Sequence, residues 1–123
     1  MIYAHFDGDD VGSKLELMLL DDDEESARDY SNSINIAIAR VQEILSRSGA
    51  AIVLSGGDDL IASWTADSIS FSDIERVRQT FRDVCGCTLS VGIGFCLSEA
   101  ASSLRRAKLQ GKDQVIQTTA SRD

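Results

Sequence analysis

Residues 55–59 read SGGDD and separate two short apolar runs, AAIVL at 50–54 and LIASW at 60–64. Apolar runs of this length on either side of a double glycine read as two strands joined by a turn. The expectation is a hairpin with strand 50–54, turn 55–58 and strand 59–64. Such a hairpin commits the chain to a sheet and delivers two carboxylates, Asp58 and Asp59, to its lip.

The flanking sequence supplies the partners. IYAHFD at 2–7 alternates, with Ile2, Ala4 and Phe6 on one side and Tyr3, His5 and Asp7 on the other, so it reads as a strand ending at Asp7-Gly8. A short helix is expected over about 12–20, broken by Asp21-Asp22-Asp23, which also offers caps to the next helix. There Ile34, Ile38, Val41 and Leu45 recur at three and four residues and make one apolar face. This helix ends near Ser48-Gly49.

After the hairpin, Ser72 with Glu75 has the spacing of a capping box. The helix it starts runs to about Val84, with Ile74, Val77, Phe81 and Val84 inward. CTLSVGIGF at 87–95 reads as a strand. Ser98-Glu99 is expected to cap a further helix that turns Ala100, Ala101, Leu104, Ala107 and Leu109 inward. A last strand over about 114–117 precedes a frayed end. The chain has no proline, so its turns rely on Gly, Asn, Asp and Ser. No repeat or linker divides residues 1–123, which predicts one α+β domain of about five strands with helices packed on the sheet.

Composition narrows the function classes. A net charge of −8 argues against general affinity for duplex nucleic acid, which needs a basic surface. No apolar run approaches the ~18 residues of a membrane span, and no secretion signal is visible at the start. Three cysteines do not make a disulfide framework, and C-x-C with one distant Cys lacks zinc spacing. They read as small core residues in a reducing, cytoplasmic setting. Charge is also unevenly placed: residues 1–25 hold nine acids and one lysine, whereas Arg105, Arg106, Lys108, Lys112 and Arg122 cluster after residue 100. Solvated helix faces explain this most simply; an acidic patch facing a basic one is also a way to hold a metal-bound polyphosphate.

If the first strand pairs with the hairpin, Asp7 and Asp58 converge at the sheet edge. Ionised carboxylates a few ångströms apart repel unless a cation lies between them. Mg²⁺ or Mn²⁺ meets that need, because such an ion takes carboxylates together with substrate phosphates. The expectation is a two-metal site, in which one ion activates the attacking hydroxyl and the other steadies the leaving group in an in-line attack at phosphorus. Gly8 lets the backbone approach closely enough for its carbonyl to face a metal. Gly56 and Gly57 permit positive φ and leave room for a nucleotide against the turn. Lys108 and Lys112, at the end of the last helix, would meet a triphosphate as point charges.

HFDGDDVG (5–12), SGGDDL (55–60), SVGIG (90–94) and RRAKLQGKDQV (105–115) together resemble the palm of nucleotidyl cyclases and polymerases over nearly the whole chain. That group includes GGDEF diguanylate cyclases and the CRISPR polymerase palm of type III complexes. The match is nearest to stand-alone minimal CRISPR polymerases. The resemblance implies a ferredoxin-like palm with metal ligation by Asp7, the Gly8 carbonyl and Asp58. Asp59 would ligate or assist deprotonation, and Lys108 and Lys112 would bind phosphate. It implies conversion of nucleoside triphosphates, ATP above others, into a cyclic di- or oligonucleotide with release of pyrophosphate. It further implies a face-to-face homodimer and a product read by a separate effector in antiphage defence. The chain departs from the diguanylate cyclases: it reads GGDD, has no Asn after the first-strand motif, and lacks the RxxD product site, since Arg47 is followed by Ser48-Gly49-Ala50.

Other residues carry plainer readings. His5 is expected as a satisfied, partly buried histidine, Trp64 as packing, and Asp9-Asp10 as a loop or cap. A phospho-receiver module matches the length, the early acidic pair and the late lysine. A receiver's acceptor Asp, however, closes a buried strand, whereas Asp58 follows a double-glycine turn. A palm that binds nucleotide without turnover is the third reading.

Overall fold

The computed structural model describes residues 1–118; the expected frayed end at 119–123 lies outside them. The elements are β1 (Ile2–Gly8), α1 (Val11–Leu20), α2 (Glu24–Arg47), β2 (Ala51–Gly56), β3 (Asp59–Trp64), α3 (Phe71–Cys85), β4 (Leu89–Gly94), α4 (Leu97–Leu109) and β5 (Val115–Gln117). They form one sheet in the order β2-β3-β1-β4-β5. β1 runs antiparallel to β3 and β4, β2 runs antiparallel to β3, and β5 lies parallel to β4. The series β1, α2, β2, β3, α3, β4 is a ferredoxin-like palm core. Helix α1 is inserted after β1, and α4 with β5 extends the sheet. A receiver's doubly wound parallel sheet is a different architecture.

Alternation along the strands decides which face is buried. Ala4, Phe6, Leu60, Ala62, Leu89 and Val91 share the face covered by α2 and α3. Those helices contribute Ile34, Ile38, Val41 and Leu45, and Ile74, Val77 and Phe81. Each fully buried large side chain contributes roughly 1.5–3 kcal/mol, so this layer holds the fold. Helix α1 buries none of its residues, and its Leu17, Leu19 and Leu20 are exposed. No helix among the described residues is long and apolar enough to cross a membrane.

The opposite face is covered by α4 alone, and glycines make that possible. A Cβ at Gly92 would stand 2.1 Å from the Leu104 nitrogen and 2.2 Å from the Ala100 oxygen. At Gly94 it would stand 2.4 Å from the Glu99 Cβ. The helix therefore lies directly on the β4 backbone, and its last turn reaches the end of β1.

Several expectations change in detail. The capping box is Ser70 with Asp73, not Ser72 with Glu75: the Ser70 side chain accepts from the Asp73 amide at 3.1 Å, and Asp73 accepts from the Ser70 amide at 2.9 Å. The helix thus starts one turn-fragment earlier, and Ser72 and Glu75 lie within it. Cys96, not Ser98, is the N-cap of α4, without a side-chain cap bond. The inward stripe of α4 is Ala100, Ser103, Leu104 and Ala107; Ala101 and Leu109 face outward. Of the cysteines, Cys87 is buried, Cys85 is half-buried and Cys96 is exposed.

Candidate active site

The hairpin turn is shorter than its sequence suggests, because strand pairing runs on to Gly56 and Asp59. Gly57 adopts φ +60°, while Gly56 keeps ordinary strand geometry, so the turn uses the positive-φ freedom of only one of its two glycines. Nothing lies within 4 Å of a Cβ built at either position, so the turn is open. The Asp58 carbonyl accepts from the Gly8 amide at 3.0 Å, tying the turn to the end of β1. Gly8 is crowded on its Cα: a Cβ would meet Val11 Cγ2 at 2.8 Å, Phe81 Cζ at 3.0 Å and Asp58 Cβ at 3.2 Å, so a larger residue would push these side chains aside.

Asp7 and Asp59 are register partners, and His5 shares their face. His5 Nε2 lies 2.5 Å from Asp59 Oδ1, so His5 is the satisfied, partly buried histidine its strand position suggested. Asp7 feels both hairpin carboxylates. Burial, opposed by the Lys108 ammonium and reinforced by the charges of Asp58 and Asp59, pushes its carboxyl above the usual range.

Lys108 crosses from α4 into this cluster. Its Nζ lies 3.2 Å from Asp7 Oδ2 and 2.7 Å from Asp9 Oδ1. It donates to the Gly8 carbonyl at 2.9 Å and meets the Asp7 carbonyl at 3.3 Å. Burial favours the neutral amine, but the Asp9 and Asp7 carboxylates outweigh it and raise the lysine's pKa. Lys112 pairs with Asp10 at the rim. The acidic start and basic end of the chain therefore do meet.

Asp9, expected as a loop or cap residue, is the buried hub of the site. Only 3% exposed, it accepts from Ser90 Oγ and Thr88 Oγ1, each at 2.7 Å, from the Asp113 amide at 3.0 Å and from Lys108. Burial alone would raise its carboxyl; these donors, Lys108 first, hold it below the usual range. The bond to Asp113 fixes an unusual turn in which Gly111, Lys112 and Asp113 all have positive φ. Such backbone costs of order 1–2 kcal/mol at a non-glycine residue and persists only where the surroundings over-determine it. Asp113 is also clamped by Arg78 at 2.7 Å.

Among the described residues, no three His, Cys, Asp or Glu side chains gather as a metal cage. The fit to a divalent ion rests instead on the cation already there. An ammonium sits on the Asp7 carboxylate and the Gly8 carbonyl, so these oxygens are arranged to receive positive charge. Asp58 and Asp59 add carboxylate charge beside them. Two carboxylates with a carbonyl, completed by substrate phosphates and water, suit Mg²⁺ or Mn²⁺.

A cavity of about 170 Å³ opens beside the turn, lined by Val11, Leu15, Tyr30, Ile34, Asn35 and Asp58 among others. Asn35 was not singled out in the sequence, because it reaches the cavity from α2 rather than from the segment after β1.

The sequence matches the family description of the minimal CRISPR polymerase domain over residues 3–118. The Csm1–Csm4 cassette, solved in complex with cA4, is similar at 21% identity and a TM-score of 0.69, over 96% of this chain and 21% of that one. The GGDEF domain of TpbB (YfiN) from Pseudomonas aeruginosa is similar at 14% identity and a TM-score of 0.64, over 96% and 76% of the two chains. The diguanylate cyclase SiaD from the same organism, solved with its activator SiaC, gives 14% and 0.58, over 95% and 49%. These likenesses establish a shared fold. No curated protein matches the chain.

Proposed function

The chain belongs to the minimal CRISPR polymerase domain family, and from that premise we propose that it is a cytoplasmic, metal-dependent nucleotidyltransferase. It converts nucleoside triphosphates, ATP in the first place, into a cyclic di- or oligonucleotide. The observation that carries the reading is the convergence of Asp7, the Gly8 carbonyl, Asp58 and Asp59 with Lys108 at one end of the sheet.

In the proposed reaction, a ribose hydroxyl oxygen of one nucleotide bonds to the α-phosphorus of a second. The bond from that phosphorus to the β-phosphate bridge breaks, pyrophosphate leaves, and the hydroxyl proton passes to a base. Bound divalent metal supplies charge neutralisation at the phosphates and acidifies the attacking hydroxyl. Asp7, the Gly8 carbonyl and Asp58 would hold it. Asp59, which His5 contacts through Nε2, would complete the ligand set or assist deprotonation. Lys108 and Lys112 would hold the phosphates. The open turn at Gly56-Gly57 leaves space for the sugar, and the cavity beside it suits a flat base. Its apolar walls, Val11, Leu15 and Ile34, give stacking area. The Asn35 amide can pair with the donor and acceptor edge of adenine. One such site places one nucleotide, so a face-to-face homodimer would bring two together. The cyclic product would then be read by a separate effector in antiphage defence.

The test is incubation with each of the four nucleoside triphosphates, alone and mixed, with Mg²⁺ or Mn²⁺, followed by mass spectrometry. A cyclic product with stoichiometric pyrophosphate is expected, with ATP the best substrate. Absence of product from every mixture, alongside ATP-dependent thermal stabilisation, would instead favour a palm that only binds nucleotide.

A further inference from the structure

We infer that Lys108 is a built-in occupant of the divalent-cation seat, so that metal ion and lysine compete for the same oxygens until a triphosphate draws the lysine away. The inference rests on the nucleotidyltransferase reading and concerns how its site is loaded.

The acceptors of Lys108 carry it. Its ammonium takes the Asp7 carboxylate at 3.2 Å and the Gly8 carbonyl at 2.9 Å, the same groups offered to a metal. The lysine side chain is only 18% exposed, so little water lies around it to screen a second cation. A divalent ion on those oxygens would stand against the ammonium, and one of the two must leave.

The third acceptor behaves differently. Both oxygens of Asp9 are taken, one by Ser90 and Lys108, the other by Thr88 and the Asp113 amide. Joining a metal's ligand shell would break bonds to buried or half-buried donors. Asp9 therefore remains the lysine's own partner while Asp7 and Gly8 are shared between lysine and metal. Lys112 gives the contrast within the same site: it bonds to Asp10 at the rim, not to Asp7 or Gly8.

It follows that metal and nucleotide bind with positive coupling. Phosphate offers Lys108 another partner and frees the oxygens for the ion, and coupling of this kind is reciprocal. A lysine serving only the phosphates would leave metal binding in the absence of nucleotide nearly unchanged when removed.

The experiment is titration of Mn²⁺ into the nucleotide-free protein, read by loss of the free-ion paramagnetic resonance signal. It compares the wild type with Lys108→Met and Lys112→Met. Lys108→Gln serves as the second variant, in case the methionine protein fails to fold. Lys108→Met should bind Mn²⁺ about tenfold more tightly than wild type, while Lys112→Met changes affinity by less than about threefold. A non-hydrolysable ATP analogue should tighten Mn²⁺ binding in the wild type and have little further effect in Lys108→Met. Equal affinity in wild type and Lys108→Met, or an equal gain in both lysine variants, overturns the competition and leaves the function reading standing. No Mn²⁺ bound by any of these proteins, with or without the analogue, overturns both.

Discussion

Asp7 and Asp59 stand directly opposite each other across the β1–β3 ladder, Asp7 one residue before the end of β1 and Asp59 at the start of β3. Like charges in register destabilise a sheet, and Asp58 adds a third carboxylate whose charge Asp7 feels. The pairing is therefore a cost carried by the ligand-free fold, and removing one charge should repay it. Asp58→Asn is expected to raise the melting temperature of the ligand-free protein by about 2–4 °C, corresponding to roughly 0.5–1 kcal/mol at this size. Nucleotidyl transfer should fall by about 10²-fold or more. Thermal unfolding and product formation, measured on one preparation, test both halves.

The buried Asp9–Lys108 pair sets the pH limits of stability. Asp9 is held below its ordinary 3.8, so its contribution is present above that value and is lost as pH falls through the lower folded-state pKa. Lys108 is raised above its ordinary 10.5, so its contribution is complete below that value and fades as pH rises through the higher folded-state pKa. Urea unfolding from acid to alkaline pH should show a plateau between these limits. Asp9→Asn should lower the plateau and flatten the acid limb; an acid limb as steep as wild type would contradict the assignment.

Glycines separate cleanly by what a methyl group would meet. Gly92→Ala drives a Cβ into the α4 backbone, and backbone cannot step aside as a side chain does. The expected cost is about 3 kcal/mol or more, with the helix and Lys108 displaced. Gly12→Ala, in α1 with nothing within 4 Å of the added Cβ, should stabilise by about 0.5–1 kcal/mol. Denaturant midpoints of the two variants should move in opposite directions.

The start of α3 offers a further contrast. Ser70→Ala removes the hydroxyl that accepts from the Asp73 amide, leaves the Ser70 amide's own bond to the Asp73 carboxylate in place, and should cost about 1 kcal/mol. Ser72→Ala, one position inside the helix, should change the unfolding free energy by less than about 0.5 kcal/mol.

That contrast also marks what the sequence could and could not reveal. The hairpin, the long α2 face and the alternation of β1 were legible because each is periodic over neighbouring residues. Ser70 and Ser72 both precede an acid by three residues, and the choice between them depends on where Ile69, Ile74 and Phe81 pack, which is tertiary information. Asp9 was misread for a stronger reason. Its side-chain and backbone donors lie 79 to 104 residues away in sequence, so no local pattern distinguishes it from a solvated loop carboxylate. Asp7, Gly8, Asp58 and Lys108 were legible only because their motifs were read together. Their convergence depends on β1 pairing between β3 and β4. Asn35 was missed because the cavity it lines is closed by α1 and the turn, not by its own helix alone.

Crystals grown with Mn²⁺ and a non-hydrolysable ATP analogue, with anomalous scattering recorded at the manganese edge, test the central claim most directly. Manganese should appear in direct contact with oxygens of Asp7, Asp58 and the Gly8 carbonyl, with Lys108 Nζ moved onto phosphate. Manganese bound elsewhere, or nucleotide bound away from this end of the sheet with Lys108 still on Asp7 and Gly8, would contradict it.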